Sequence, residues 1–466
     1  MVPHPPMIVP AVGKGSEAQI QATTRAYEQV ADMVAQLQPE TILISSPHTV
    51  MYSDYFHISP GTHASGSLTQ FRAGEVSFEE TYDRELVQEI CSLAAARGFP
   101  AGTRGERDRH LDHGVMVPLY FIRQKYQDFR LVRMGLSGLS LPMHYELGQM
   151  VREAAEHLGR SVVWVASGDL SHKLQAYGPY GFAEEGPQYD QRIMDVCGSG
   201  DFGELLEFDE NFCEKAAECG HRSFVMMAGA FDGMAVQARA LSHEDITGVG
   251  YGICTFFPDG PDPQRHFLDQ YLQKEQSQIR KKREKEDAYV RLARLSLETY
   301  IGADGLKSSS GRSAAGRNIA IPDWVPPEMK SRRAGVFVSL HEHGRLRGCI
   351  GTIQPVTGCI AEEIIRNAVS ASTQDPRFDP VAPQELQWLE VHVDVLGNPE
   401  KIAGPEELDV RRYGVIVTNG RRRGLLLPDL EGVDSVAQQI QIARRKACIR
   451  EDEDVELERF EVVRHG

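Results

Sequence analysis

Five short segments place histidine or acidic side chains beside turn-forming residues: His4-Pro5-Pro6, Ser46-Pro47-His48, Leu111-Asp112-His113-Gly114, Asp169-Leu170-Ser171-His172 and Glu218-Cys219-Gly220-His221. Taken singly, each has a plain structural reading. A histidine before two prolines suits a surface loop, and Asp-His-Gly suits a turn. Ser167-Gly168-Asp169 suits a helix cap, because Ser and Asp side chains accept from free backbone N–H groups. Glu218 and His221, three apart at a helix start, suit a surface pair. Taken together, the segments describe a metal centre. Two imidazoles and one carboxylate hold Fe(II) while leaving positions open for substrate oxygens and dioxygen. A further histidine, not bound to the metal, can move protons.

Such residues need elements that carry them to one point. Thr41-Ile42-Leu43-Ile44 and Ser161-Val162-Val163-Trp164-Val165-Ala166 are β-branched apolar runs. Each leads into a polar tip, Ser45-Ser46-Pro47-His48 in one case and Ser167-Gly168-Asp169 in the other. Amphipathic stretches at Glu17–Leu37, Thr81–Gly98 and Met143–Leu158 surround them. Buried strands alternating with helices predict an α/β domain with a largely parallel sheet flanked by helices. The carboxyl ends of such strands are where open α/β sheets place their sites.

Composition bounds the rest. The 466 residues, 41% hydrophobic and 25% charged, suit a soluble protein of two or three domains. The net charge of -16 argues against nonspecific binding to nucleic acid or anionic lipid. The eight cysteines are scattered with no CxxC pair, which suits a reducing compartment. The start lacks the basic and apolar regions of a secretory signal, and no apolar run is long enough to span a membrane. A cytoplasmic location is the expectation.

The turn formers at 258–263 predict a boundary near residue 260. A mixed-charge linker helix is expected over 261–287, and a second, α+β domain over 288–466. In that second domain Tyr289–Ile301 reads as a helix. Gly335–Leu340, Val391–Leu396 and Arg412–Val417 read as strands, the last leading into an Asn419-Gly420 turn. A helix through Val433–Ala447 and a strand at Val455–Val463 close the chain. Ser308–Gly316 reads as a mobile loop.

His4-Pro5-Pro6, Ser46-Pro47-His48, the run Leu111 to Leu119 and the Ser171-His172 tip resemble the B-subunit-like class III extradiol dioxygenases over about residues 1–260. The resemblance implies His4 and His48 as histidine ligands of Fe(II) and Glu218 as the carboxylate ligand. It implies His172 as general acid/base, His113 as a substrate-side hydrogen-bond or proton donor, and Asp169 as the residue positioning His172. It also implies a small aromatic, catechol-type substrate together with dioxygen, and pairing into a homodimer. The related Memo proteins share this fold. Their Ser-Asp-x-x-His and Cys-Gly segments are similar to Asp169–His172 and Cys219-Gly220, which would bring Asp169, His172 and Cys219 to the metal. A thiolate there would favour copper or a tightly held ferrous ion, with zinc as a further alternative.

Leu346-Arg347-Gly348-Cys349-Ile350-Gly351 and Asp375-Pro376-Arg377-Phe378 resemble the AMMECR family over about 288–463. Arg347 beside Cys349 suggests a reactive thiol, against the plainer reading of a buried small side chain in a sheet. His341, His343 and His392 are candidate partners for it. The fused pair is similar to systems in which AMMECR-like, Memo-like and radical SAM proteins occur together, which implies a radical SAM protein as partner.

Overall fold

The computed structural model describes residues 1–466 apart from 106, 108, 109, 306–318 and 431. The expected loop at 308–316 lies outside the described residues. The chain divides into two compact units, Met1–Leu272 and Gln273–Gly466. No helix among the described residues is long and apolar enough to cross a membrane.

In the first unit β1 (Thr41–Ser46), β2 (Arg130–Gly135) and β3 (Val162–Ala166) form a parallel sheet in the order β2-β1-β3. All six residues of β1 are buried, the pattern of a strand covered on both faces. Its side chains alternate between two cores. Ile42 and Ile44 pack with Ala26, Tyr27 and Val115, from α1 (Gln21–Leu37) and the later helix at 113–123. Leu43 packs on the other side with Ile90 from α2 (Arg84–Ala96) and with Met150. The helices α3 (His113–Arg123) and α4 (Leu141–Leu158) complete the two outer layers.

The expected helix at Thr81–Gly98 starts later than its pattern suggests. Thr81 ends a strand, and Asp83 caps α2 by accepting from the Leu86 N–H at 3.2 Å. After α5 (His221–Gly229) the chain forms a long antiparallel hairpin of β4 (Met234–Glu244) and β5 (Tyr251–Pro261). The hairpin runs through the turn formers, and 258–261 are still strand. A register shift between Met234 and Val236 relaxes the ladder opposite Pro258 and Pro261, and irregular positions are where strands admit proline. Helix α6 (Phe267–Arg283) follows, and the division between the units falls within it.

The second unit is α+β. Helix α7 (Ala288–Gly305) precedes β6 (Val336–Glu342), β7 (Arg345–Gly351), α8 (Ile360–Thr373) and β8 (Leu389–Leu396). A second group holds β9 (Glu400–Ile402), β10 (Gly414–Asn419), β11 (Arg422–Leu426), α9 (Val436–Lys446), β12 (Glu456–Phe460) and β13 (Val462–His465). The two four-stranded sheets run β7-β6-β8-β13 and β9-β12-β10-β11. The strand expected at Val455–Val463 is thus shared between sheets. Val336, Val338 and Leu340 face a core with Leu297 of α7 and Ile364 and Ala368 of α8. By the two-residue period of a strand, Ser339 and His341 lie on the opposite face.

Candidate metal centre

The parallel sheet sends its carboxyl ends to one edge, and the candidate residues gather there. His48 lies two residues beyond β1. Val2 bridges Ser167, the Val2 N–H donates to the Ala166 carbonyl at 3.0 Å, and the Gly168 N–H donates to the Val2 carbonyl at 3.0 Å. The start of the chain is thereby held alongside the end of β3, and His4 emerges at the same edge.

The third segment arrives by backbone packing. A Cβ on Gly168 would lie 2.1 Å from the Gly220 Cα, so the two glycines touch main chain to main chain. Cys219 is set beside Asp169, whose N–H donates to Cys219 Sγ at 3.2 Å. A ring of side-chain bonds fixes the loops. Asp112 accepts from Ser46 Oγ and Thr49 Oγ1, each at 2.7 Å. Gly114 in the Asp-His-Gly segment leaves room for Ser46, whose Oγ would be 2.3 Å from a Cβ there.

The result is a compact donor set. His4, His48 and Cys219 each offer an atom, and all three atoms lie within 4.8 Å of one another. His4 Nε2 is 3.1 Å from His48 Nε2 and 3.7 Å from Cys219 Sγ. The hydrogen bonding assigns the His4 tautomer. Ser167 Oγ donates to the Gly114 carbonyl at 2.6 Å, so it accepts from His4 Nδ1–H at 2.9 Å. The Nε2 lone pair of His4 is left for a metal, the arrangement that outer partners of ligating histidines usually enforce.

His113 joins this group, its ring 4.0 Å from that of His48 and 5.3 Å from that of His4. Asp169 is buried and accepts from the His4 N–H at 2.7 Å. His172 stacks on Tyr180 at 5.0 Å between centroids, and its Nε2 is buried without a hydrogen-bond partner. His48 and Tyr180 are exposed, so the cluster opens to the surface on that side.

Glu218 is placed elsewhere. The preceding helix Glu210–Ala216 ends with Ala217 at φ 54, and α5 begins at His221. Glu218 Oε2 accepts from the His221 N–H at 2.6 Å, so its carboxylate caps α5. Among the described residues Cys219, not Glu218, joins the two histidines. Neighbouring positions therefore take separate roles, set by the turn at Ala217.

Burial governs the electrostatics. It holds His4 and His113 neutral, pushing both down to about 3, with His48 adding to the effect. It lowers His172 as well, against the attraction of Asp169. It raises Asp169 to about 6 and Glu218 to about 7, in each case against backbone hydrogen bonds. The Cys219 thiol is pushed well up, first by burial and then by Asp169 and Glu218. Imidazoles and a buried thiol with no compensating cation form a donor set that suits a soft or borderline metal ion, which would supply the missing positive charge.

Reading the sequence missed the roles of three residues. Ser167 sets the His4 tautomer, Asp112 ties the loops, and Tyr180 stacks on His172. Ser167 and Asp112 lie within the segments already singled out, which is the signal that could have found their roles. Tyr180 carries none.

In the second unit, Cys349 and Arg347 do not meet. Arg347 Nε donates to Glu385 Oε1 at 2.7 Å and its Nη1 to the Asp379 carbonyl at 2.9 Å. Successive residues of a strand point to opposite faces, but Arg347 and Cys349 are two apart; it is the Glu385 pairing that draws Arg347 away. The arginine at Cys349 is Arg377. Its Nη2 donates to the Cys349 carbonyl at 3.3 Å and to Asp375 Oδ2 at 2.7 Å. Of the candidate histidines, His343 bonds Glu275 at 2.7 Å, and His341 packs against His392 at 5.2 Å.

Comparison with known proteins agrees with both halves. Residues 1–254 match the family described as the catalytic LigB subunit of aromatic ring-opening dioxygenase, and residues 268–465 match AMMECR1. A protein of Clostridium acetobutylicum is 40% identical over 472 residues, covering 100% of this chain and 98% of its own. A Thermotoga maritima protein is 49% identical over 182 residues, 39% of this chain and 98% of its own. Among solved structures, that of an uncharacterised Pyrococcus horikoshii protein is 33% identical, covers 38% of this chain and 88% of its own, and has a TM-score of 0.33. The chain belongs to the LigB family, with its LigB unit fused to an AMMECR1 unit.

Proposed function

We propose that the N-terminal unit is an oxidoreductive metal centre in which His4 Nε2, His48 Nε2 and Cys219 Sγ hold one transition-metal ion. The observation that carries this is the convergence of three donor atoms, from the start of the chain, the loop after β1 and the turn before α5, within 4.8 Å of one another. A sulfur donor favours copper or ferrous iron over a hard cation, with zinc as the redox-silent alternative. A metal bound there supplies Lewis-acid activation and, if redox-active, electron transfer to dioxygen.

The remaining residues hold and move protons. His172, with an unpartnered Nε2, is suited to take a proton from a substrate hydroxyl and return it later. Asp169 supports the charged form of His172, because it is the main attraction acting against that ring's burial. His113, neutral and packed on His48, is suited to hydrogen-bond a substrate oxygen. The exposed side at His48 and Tyr180 admits the substrate. With the LigB match, these groups support a catechol-type aromatic diol and dioxygen as reactants.

A second reading is favoured by the sulfur donor itself. In it the centre is a Memo-like redox module that serves a radical SAM partner and opens no ring. One experiment bears on both. The purified full chain is loaded anaerobically with ferrous, cuprous or zinc ion, its metal content is measured, and dioxygen uptake with a catechol is followed. About one equivalent of metal is expected, lost in His4→Ala, His48→Ala and Cys219→Ala and kept in Glu218→Gln. Metal lost in Glu218→Gln but kept in Cys219→Ala would overturn the ligand set. Metal binding without dioxygen uptake would favour the second reading.

A further inference from the structure

We propose that the N-terminal unit binds an extended apolar segment of a partner protein, which adds as a further strand beside β3 in the slot between β3 and β5. The site is separate from the metal centre, and its test does not depend on a bound metal.

The slot follows from the order of the strands. β3 is an end strand of the parallel sheet. Among the described residues only Val2 pairs with its outer edge, in parallel beside Ser167. Met1 turns the other way: its nitrogen donates to the Cys254 carbonyl and its carbonyl accepts from the Cys254 N–H, each at 3.1 Å. Met1 and Val2 thus form one short strand that joins β3 to β5. From there toward Val162 the two strands face each other across a cavity of about 560 Å3, with Val163 and Val165 on one side and Phe256 and Pro258 on the other. Two strand spacings set them roughly 9.6 Å apart, which is room for one strand.

The backbone groups that face the slot select its occupant. The Ala166 carbonyl accepts from the Val2 N–H. Backbone groups alternate sides along a strand, so Trp164 and Val162 turn their N–H and C=O to the same edge. Cys254 faces Met1, so Phe256 faces the slot from β5 by the same alternation. No strand pairs with these groups among the described residues, although backbone groups withdrawn from water are almost always paired. Two facing rows of alternating partial charge are complemented by a third backbone, parallel to β3 and antiparallel to β5, in line with Met1 and Val2. An apolar small molecule satisfies neither row.

The walls fix the sequence character of the segment. Its side chains alternate between two faces. α1 lines the cavity with Val30 and Val34, and α4 lines it with Val151 and Ala155. Both faces are apolar, so the segment is a continuous apolar run, as in parallel strands covered on both sides. The charges at the rim are already answered. Arg160 pairs with Asp83 and Glu85 at 3.4 and 2.5 Å, and Arg152 donates to the Ala230 and Asp232 carbonyls. An uncharged segment of about four residues matches the open length of β3. Runs of that character in this chain, such as Ile42–Ile44, Val162–Val165 and Val415–Val417, already serve as strands, which points to a different protein as the donor.

The test uses the full chain and a synthetic probe, Lys-Lys-Gly-Ile-Val-Ile-Val with an amidated end. The lysines lead because a strand parallel to β3 has its amino end beside Val162, where Leu37 is 51% exposed. Amide hydrogen exchange is followed at Val162–Ala166 and Thr255–Phe257, with β8 of the second unit as the reference. At about 1 mM peptide, exchange in both segments is expected to slow about tenfold, as for a site with a Kd of about 0.1 mM, while β8 is unchanged. The same peptide N-methylated at both valines keeps its apolar surface and loses the donors aimed at β3. It is expected to bind at least about tenfold more weakly. Exchange unchanged in either segment, slowing matched by the N-methylated peptide, or equal slowing by lauric acid, which is apolar but has no peptide backbone, would overturn the proposal.

Discussion

Two cysteines in this chain occupy different electrostatic settings. Cys219 sits beside the imidazole of His4, with burial and then the acids Asp169 and Glu218 raising its thiol. Cys349 sits on a strand clamped by the paired Asp375 and Arg377. The first setting is short of positive charge, which a bound metal cation would supply. In the second, the Asp375 carboxylate already answers the Arg377 guanidinium. The architecture follows the same division. Donors reach Cys219 from distant segments at the open end of a parallel sheet, whereas Cys349 lies within one strand of an antiparallel sheet. The lesson is that a thiol's chemistry is set by the charge its neighbours lack.

The largest expected effect separates the two thiols. Cys219→Ser is expected to weaken metal binding by more than about 100-fold, beyond what loss of an outer partner costs. Cys349→Ser is expected to leave it unchanged. Metal titration of both variants checks this, and equal losses would erase the comparison.

Next comes the packing that delivers Cys219. Gly168→Ala pushes a methyl group into the Gly220 main chain, at 2.1 Å. Overpacking of this kind costs on the order of 3 kcal/mol. Chemical denaturation is expected to show that loss in the N-terminal transition alone, and a wild-type curve would show that the glycine contact is not what seats the loop.

A smaller effect is expected at Ser167. Without its hydroxyl the His4 tautomer is no longer fixed, and metal affinity should fall about 10- to 100-fold while the fold is retained. Affinity unchanged in Ser167→Ala would remove the tautomer argument.

The smallest effect depends on pH. Asp169 titrates near 6 in the folded protein, above the ordinary aspartate value. The unfolded chain therefore binds fewer protons between about pH 4 and 6, and stability falls as pH rises through that window. Asp375 has the opposite sign. Its depressed value gives stability above the ordinary range that is lost only in strong acid. Asp169→Asn is thus expected to stabilise the metal-free protein by on the order of 2 kcal/mol at pH 7 and by little at pH 4. Thermal melts at the two pH values test it, and a gain independent of pH would contradict the assignment.

Much of this was legible in the chain. The apolar runs at Thr41–Ile44 and Ser161–Ala166 end in polar tips, and that pattern alone located the edge where His48 and Asp169 lie. His4 was legible only through its Pro-Pro context, because its pairing beside β3 is a long-range contact. The choice between Glu218 and Cys219 was not legible. It turns on Ala217 adopting φ 54 and on Glu218 capping the next helix, which adjacent residue types do not reveal. The contact of Arg377 with Cys349 was not legible for the same reason: the two lie 28 residues apart and meet only through the fold. The β4–β5 hairpin was hidden by its half-exposed strands and its prolines, which read as a boundary.

The central claim is that sulfur from Cys219 binds the metal. Cobalt(II) loaded into the full chain reports this directly, because a thiolate ligand gives a charge-transfer absorption that imidazole and carboxylate ligands lack. The account predicts that absorption with about one bound cobalt, lost in Cys219→Ser and retained in Glu218→Gln and Cys349→Ser. A cobalt-loaded protein without it, or one in which it survives Cys219→Ser, would contradict the account.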